Sequence, residues 1–131
     1  MDRKATARET LAIMERGYYE INGIRVDIRQ QQDDSVNNSF LLTPEQGDQI
    51  LKKYEKGAKA QDRKTAFATQ NCGTVDAILE LAGEGKQAAV LNFASAKNPG
   101  GGFINGAMAQ EESLAVSSCL YRTQLAHEEY Y

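Results

Sequence analysis

The sequence predicts an α/β fold, and three segments support this class. Residues 64–71 (KTAFATQN) and 87–95 (QAAVLNFAS) have the composition of strands, and residues 73–85 (GTVDAILELAGEG) predict a helix between them. A strand, a helix and a second strand in this order predict a right-handed βαβ unit whose strands are parallel. Because 131 residues suffice for one core and not for two, we expect a single domain over residues 1–131.

The first part of the chain predicts a helix followed by a hairpin. Residues 3–17 predict a helix because their apolar side chains recur on one face at helical spacing. These side chains are Ala7, Leu11, Met14 and Tyr18. Asn22 and Gly23 lie between two β-rich runs, which predicts a hairpin with a type I′ turn. Residues 29–39 are polar and aperiodic, so they predict a loop.

A second helix is predicted after this loop. Thr43 is a suitable N-cap, Pro44 suits the first helical position, and Gln46 completes a capping box. We expect the helix to run to about Lys56. The preceding residues 40–42 (FLL) predict a short strand.

The charge balance argues against several classes of partner. The chain has 15 Lys and Arg residues against 18 Asp and Glu residues, for a net charge of −3. A general nucleic-acid binder normally has a basic face, so we predict no general nucleic-acid binding. No stretch approaches the roughly 18 apolar residues that span a bilayer, and no membrane partner is predicted.

The cysteines and the histidine do not form a metal-binding pattern. Cys72 and Cys119 are far apart, and His127 is the single histidine. Because this spacing does not match a zinc site, we predict no metal. The start of the chain, MDRKATARET, lacks the apolar run of a secretion signal. We therefore expect a cytoplasmic protein with buried thiols.

One segment, NPGGGFINGAMAQEES (residues 98–113), combines two unusual features. Three glycines, 100–102, are followed after seven residues by Gln110 and the two glutamates, Glu111 and Glu112. The glycines suit either a flexible connection to a helix or N–H groups that face a phosphate or ribose. The glutamates suit either an ordinary first helical turn or a working acid. A helix N-terminus opposes protonation of a carboxylate, whereas burial and a neighbouring negative charge favour it.

The combination resembles the signature of bacterial-type poly(ADP-ribose) glycohydrolases, a branch of the macrodomain family. The blocks NFASAKNPGGGF and GAMAQEESL look like the two core blocks of that family. The segments TLAIMERGYY and INGIRVDI resemble its N-terminal region, and SSCLYRTQ with EEYY its following helix. The resemblance therefore covers nearly the whole chain.

This resemblance implies a glycosidase that hydrolyses the ribose–ribose O-glycosidic bond of poly(ADP-ribose) and releases ADP-ribose. ADP-ribose or its polymer would be the ligand, with no cofactor. Glu112 would be the general acid and base, and Glu111 would hold ribose hydroxyls. Gln110 would help to orient this pair, and the backbone of Gly100, Gly101 and Gly102 would approach the terminal ribose and the diphosphate.

Asn98 is a further ligand candidate that the resemblance implies. In many macrodomains an asparagine three residues beyond the strand asparagine contacts the distal ribose. Here Ser95 has that place after Asn92. Asn98 or Ser95 would take the role, or Asn98 would only favour the turn into Pro99.

The resemblance also implies a macrodomain-like three-layer α/β/α fold with a mixed sheet. The domain of that family continues beyond the helix near Tyr130, so we expect this chain to be a partial domain, truncated on its C-terminal side. An incomplete sheet leaves an unpaired edge, which favours self-association. The alternative functions are a non-catalytic ADP-ribose-binding module and an inactive fragment.

Overall fold

The computed structural model describes residues 2–57 and 64–131. The described residues form two compact units, one made of 2–39 with 72–131 and the other of 40–57 with 64–71. The helices and strands in chain order are α1 (Arg3–Arg16), β1 (Tyr18–Ile21), β2 (Ile24–Asp27), α2 (Arg29–Asn37), α3 (Pro44–Gly57), α4 (Thr74–Gly83), α5 (Gln110–Ser117) and α6 (Leu120–Leu125). Short 3₁₀ turns occupy Phe103–Asn105 and Glu128–Tyr130. The mixed α/β class is confirmed, and the single domain stays a prediction.

The predicted first helix is confirmed as α1. The Asp2 carboxylate caps it by accepting two backbone N–H bonds of the first turn, and Gly17 ends it in the left-handed conformation. Ala7 and Met14, two of the predicted apolar positions, are buried. The apolar face of α1 therefore points into the first unit.

The predicted hairpin is confirmed as the antiparallel pair β1 and β2. Ile21 pairs with Ile24, which leaves a two-residue turn. Asn22 has φ 52° and Gly23 has φ 75°. Positive φ at both central positions is the geometry of a type I′ turn, because that turn matches the twist of the strands.

The loop predicted over residues 29–39 is wrong, because most of this segment forms α2. Gln32 is buried in α2, and its side-chain oxygen accepts a hydrogen bond from Arg122 of α6. Asp33 accepts a second bond from Arg122 at 2.7 Å. A helix held by polar tertiary contacts lacks the apolar periodicity that sequence prediction depends on.

The predicted capped helix is confirmed as α3. The Thr43 hydroxyl accepts the Gln46 N–H at 3.3 Å, and the Gln46 side chain accepts the Thr43 N–H at 2.9 Å. These reciprocal bonds form the predicted capping box. The short strand predicted at 40–42 is wrong, since those residues have no strand partner among the described residues.

The strands predicted at 64–71 and 87–95 are also wrong for the described residues. The helix between them is confirmed as α4, but the one described sheet contains only β1 and β2. Phe67 is 93% exposed and Phe93 is 71% exposed, so the second segment is not the buried strand that we predict. A strand requires hydrogen bonds to a neighbouring strand, which local composition alone does not supply.

Two further features of the described residues concern the membrane and thiol predictions. No described helix has the length and apolarity needed to cross a bilayer. Cys72 is exposed and Cys119 is half-buried, and both are free. The prediction of buried thiols is therefore wrong, because neither cysteine joins the core.

The core of the first unit is small, and it packs the segment that carries the glycines and glutamates against α1. Ala7, Phe103 and Ala115 pack together, and each is at most 2% exposed. The Thr10 hydroxyl also donates to the Val116 carbonyl at 2.8 Å, which joins α1 to α5. The residues after the three glycines and the helix that carries the two glutamates are thus fixed against the same surface.

Overpacking at Ala7 tests this arrangement. We expect Ala7→Leu to lower the free energy of unfolding by about 1–3 kcal/mol, because the added atoms have no space beside Phe103 and Ala115. Ala5→Leu is the matched control on the exposed face of α1, with an expected change within about 0.5 kcal/mol. Urea unfolding measures both, and equal effects would contradict the assigned core.

Candidate active site

The glycine loop, defined as residues 98–102, is a tight turn with two left-handed residues. Gly100 has φ 66° and Gly101 has φ 58°. The Gly101 N–H donates to the Asn98 carbonyl at 3.0 Å, and the Phe103 N–H donates to the Gly100 carbonyl at 3.2 Å. Side chains rarely adopt this backbone conformation, so the loop requires glycine for its shape.

Gly101 also lies against both glutamates. A Cβ atom built on Gly101 would collide with Oε1 of Glu112 and lie 3.1 Å from Oε2 of Glu111. The absence of a side chain therefore lets the loop backbone approach two carboxylates at once. This contact brings the two halves of the motif together, although seven residues separate Gly102 from Gln110.

Glu112 is held by backbone N–H groups from both sides. Its Oε1 accepts the Gly102 N–H at 3.0 Å, and its Oε2 accepts the Ala109 N–H at 3.1 Å. The Gly102 bond is the main reason that the pKa of Glu112 is lowered from its ordinary value of 4.5. Partial burial opposes this shift but does not cancel it. Glu112 is therefore ionised at neutral pH in the free protein.

Glu111 lies in a different environment. Its side chain is only 4% exposed. Oε2 accepts the Ser95 N–H at 2.7 Å, and Oε1 accepts the Gln124 side-chain amide at 2.8 Å. Successive helical residues point about 100° apart, which explains why the two neighbours differ so strongly.

A cleft of about 530 Å³ lies beside the glycine loop. Its lining consists of Ser95, Asn98, Pro99, Gly101, Gly102, Ile104, Asn105, Glu112 and Tyr121. The structure thus brings five predicted residues to one cleft: Asn98, its alternative Ser95, Gly101, Gly102 and Glu112. Gly100, Gln110 and Glu111 are not among its lining residues. Backbone carbonyl and amide groups, hydroxyl groups and one carboxylate make this surface polar.

Gln110 contacts the chain that leads into the glycine loop. Its side-chain oxygen accepts the Phe93 N–H at 2.8 Å, and its amide donates to the Leu91 carbonyl at 2.7 Å. This pair of bonds resembles the bonds that a neighbouring strand would provide. Gln110 therefore fixes the N-terminus of α5 to the extended segment, and its contact with substrate stays a prediction.

Ser95 and Asn98 both lie at the cleft, so the choice between them stays open. The Ser95 hydroxyl accepts the Lys97 N–H at 3.2 Å and the Asn98 N–H at 3.1 Å. These bonds stabilise the turn that precedes Pro99. Asn98 is exposed there, which leaves its side chain accessible from the cleft.

Two residues of the site are not predicted from the sequence. Tyr121 lines the cleft, and its ring lies 5.0 Å from that of Phe103 in an edge-to-face arrangement. Gln124 bonds Glu111 directly. Both follow the motif on α6, and their spacing from it gives no signal in a single sequence. Within the described ranges, no cluster of His, Cys, Asp and Glu could hold a metal ion.

Comparisons with known proteins give the family of the chain. The family described as "Microbial-type PARG, catalytic domain" matches residues 7–131. A crystal structure of poly(ADP-ribose) glycohydrolase from Thermomonospora curvata is similar, with 40% identity, a TM-score of 0.88, and coverage of 98% of this chain and 47% of that chain. A second structure from T. curvata, bound to the inhibitor ADP-HPD, has 39% identity and a TM-score of 0.86, with coverage of 98% and 45%.

The chain therefore spans about half the length of the solved structures that it matches. Among curated proteins, none matches it significantly. The resemblance found in the sequence is confirmed by the family match, which covers far more than half of the chain.

Substitution of Gly101 tests the contact between the loop and the glutamates. We expect Gly101→Ala to lower the free energy of unfolding by more than about 2 kcal/mol, because a side chain must adopt φ 58° and displace Glu112. Gly83→Ala is the matched control, since its Cβ would meet nothing within 4 Å. The control should be neutral or stabilising by about 0.5–1 kcal/mol. Similar losses in both variants would contradict the contact.

The pH dependence of stability tests the bonds to Glu112. The lowered pKa means that its contribution is fully present above the ordinary value of 4.5 and is lost as pH falls through the lower folded-state pKa. We expect Glu112→Gln to cost about 1–3 kcal/mol at neutral pH, because an amide offers only one acceptor to two N–H donors. Urea unfolding at descending pH should show the difference shrinking below 4.5. A difference independent of pH would count against these bonds.

Proposed function

The chain belongs to the microbial-type poly(ADP-ribose) glycohydrolase catalytic-domain family, and we propose that it hydrolyses the ribose–ribose O-glycosidic bond of poly(ADP-ribose). The product is free ADP-ribose. The observation that carries this proposal is the Glu112 carboxylate, which lines a polar cleft beside the glycine loop. Glycoside hydrolysis requires a carboxyl group of this kind at the scissile bond.

In the proposed reaction, Glu112 acts first as an acid and then as a base. Its protonated carboxyl gives the proton to the departing ribose 2′-oxygen while the glycosidic C–O bond breaks. The sugar carbon acquires oxocarbenium character, and a water molecule attacks it. The Glu112 carboxylate takes the proton of that water, which restores the starting state of the enzyme.

The lowered pKa of Glu112 favours the second half of this cycle. An ionised carboxylate next to the sugar stabilises the positive charge that develops there and accepts the proton of water. The first half requires a protonated carboxyl. A bound diphosphate adds negative charge and displaces water, and both effects raise the pKa of a nearby acid.

The remaining predicted residues have supporting roles in this proposal. Glu111 holds ribose hydroxyls, and Asn98 or Ser95 contacts the distal ribose. The backbone of residues 100–102 approaches the terminal ribose and the diphosphate, as the close approach of Gly101 to Glu112 supports. The T. curvata enzyme with an ADP-HPD inhibitor bound supports a ligand of the ADP-ribose type.

A non-catalytic ADP-ribose-binding module is the second candidate. The lowered pKa of Glu112 favours it, since an acid that stays ionised cannot protonate a leaving group. A binding role alone would use the same cleft and glycine loop. The two candidates differ in turnover and not in ligand.

We extend the proposal to the fold and to the cellular site. We propose a three-layer α/β/α macrodomain with a mixed sheet. The exposed Phe67, Leu91 and Phe93 side chains support this, because further layers of such a domain would cover them. A second copy of the chain would provide an alternative cover. We propose a cytoplasmic location, because both described cysteines are free thiols.

Release of free ADP-ribose from purified poly(ADP-ribose) tests the proposed reaction. We expect this chain to release it and Glu112→Gln to lose at least about 100-fold in rate, because an amide cannot transfer the proton. Glu112→Gln should keep most of the affinity for ADP-ribose, measured by calorimetry. Glu20→Gln, the same change at an exposed position of β1, is the matched control and should keep full activity.

Other results would select another function. Tight ADP-ribose binding without release, in the parent as in Glu112→Gln, would favour the binding module. Equal release by the parent and the variant would reject Glu112 as the acid. The absence of both binding and release would show that the chain is inactive by itself.

A further inference from the structure

Glu111 is a buried carboxylate without a cationic partner among the residues that the structure describes. In the part of the chain that the structure describes, none of the ion pairs involves it. Two N–H donors compensate its charge instead, the backbone of Ser95 and the side chain of Gln124. A buried charge with so few donors depends strongly on each of them.

Of these two donors, only Gln124 can be removed by substitution of a side chain. The Ser95 donor is a backbone N–H, which every residue type except proline provides. Gln124 is the single side chain among the described residues that bonds the Glu111 carboxylate. It approaches from α6, whereas Ser95 precedes the glycine loop. The two donors therefore fix both oxygens of the carboxylate, and the side chain has one preferred orientation.

Contacts between α6 and α2 hold Gln124 in place. Arg122 forms an ion pair with Asp33 at 2.7 Å. The Thr123 hydroxyl lies 2.8 Å from the Ser35 hydroxyl. Three successive residues of α6 thus use their side chains on separate partners, and the helix that carries Gln124 is fixed before any ligand arrives.

The carboxylate determines the orientation of the Gln124 amide. Because a carboxylate can only accept hydrogen bonds, the N–H end of the amide points to Glu111. The Gln124 side chain also forms a hydrogen bond with the phenol of Tyr131, which links the end of the described chain to the same carboxylate. Burial first, and then the charges of Glu111 and Tyr130, raise the pKa of this phenol, and the bond to Gln124 opposes them.

We propose that Gln124 is a positioning residue that orients the Glu111 carboxylate for the reacting ribose. The inference rests on the proposed glycosidase function, because Glu111 is the group assigned there to the ribose hydroxyls. Gln124 itself does not line the cleft, and it acts through Glu111. Gln124 thereby connects α6 to the glutamates of the motif, which precede α6 in the sequence.

NMR of the Glu111 carboxyl tests the bond independently of activity. Gln124→Leu removes the donor at similar volume, and we expect the carbon signal of the Glu111 carboxyl to shift because it loses a hydrogen-bond donor. Carbon NMR of the glutamate carboxyls follows this, with the Glu111 signal assigned through its absence in Glu111→Gln. The spectra also report the neighbouring carboxyl of Glu112. An unchanged Glu111 carboxyl signal in folded protein would overturn the proposal.

Gln124→Glu is a second variant with the same shape, for use if the leucine variant does not fold. It replaces the amide donor by a carboxyl group, so the carbon signal of the Glu111 carboxyl should shift as well. Gln49→Leu makes the same chemical change as Gln124→Leu at an exposed position of α3 and is the matched control. The control should leave the Glu111 carboxyl signal and the rate unchanged.

Kinetics separate positioning from simple structural support. We expect Gln124→Leu to lower kcat for ADP-ribose release by about 10–100-fold, the effect of one hydrogen bond to an ionised group, with KM changed by less than about threefold. In a Glu111→Gln background, Gln124→Leu should add no further loss, because Gln124 acts through Glu111. An equal additional loss in that background would overturn the proposal.

Failure of the proposed function gives a different pattern. If the parent chain releases no ADP-ribose, the glycosidase proposal fails for this chain. The NMR signal of the Glu111 carboxyl still decides the role of Gln124: a shifted signal in Gln124→Leu supports the positioning contact, and an unchanged signal rejects it.

Discussion

The contact between the Gly101 backbone and the carboxylates of Glu111 and Glu112 is the constraint on which the site depends. A side chain at Gly101 would enter the space of the Glu112 carboxylate. The left-handed turn of the glycine loop therefore does more than reverse the chain direction. It places the Gly102 N–H on one oxygen of Glu112, where a side chain would displace the bond.

The site holds two negative charges next to each other without any cation bonded to them in the described structure. Backbone N–H groups and one amide replace the missing counter-charges. The N-terminus of α5 contributes in the same direction, because its dipole favours negative charge. This arrangement keeps Glu112 ionised in the free state and leaves the cleft with a single accessible carboxylate. A negatively charged substrate would most strongly change this balance between the two carboxylates and their N–H donors.

The helices around the site hold its residues in position. The core beneath Phe103 joins the end of the glycine loop to α1 and α5. The ion pair of Arg122 with Asp33 joins α6 to α2, and α6 presents Gln124 to Glu111. The positions of both carboxylates are therefore set by elements that lie before and after the motif. Polar contacts do more of this work than apolar burial, because the core is small.

The sequence by itself determined the local features of this protein. Short-range backbone preferences determine the cap of α3 and the Asn22-Gly23 turn, and spacing defines the motif of glycines and glutamates. This motif was sufficient to identify the family. The tertiary structure alone decided that residues 29–37 are helical, that residues 87–95 have no strand partner among the described residues, and that Glu112 faces the cleft while Glu111 is buried. Local preference cannot fix these outcomes, because each depends on a partner supplied by a distant part of the chain, as Arg122 and Gln124 are.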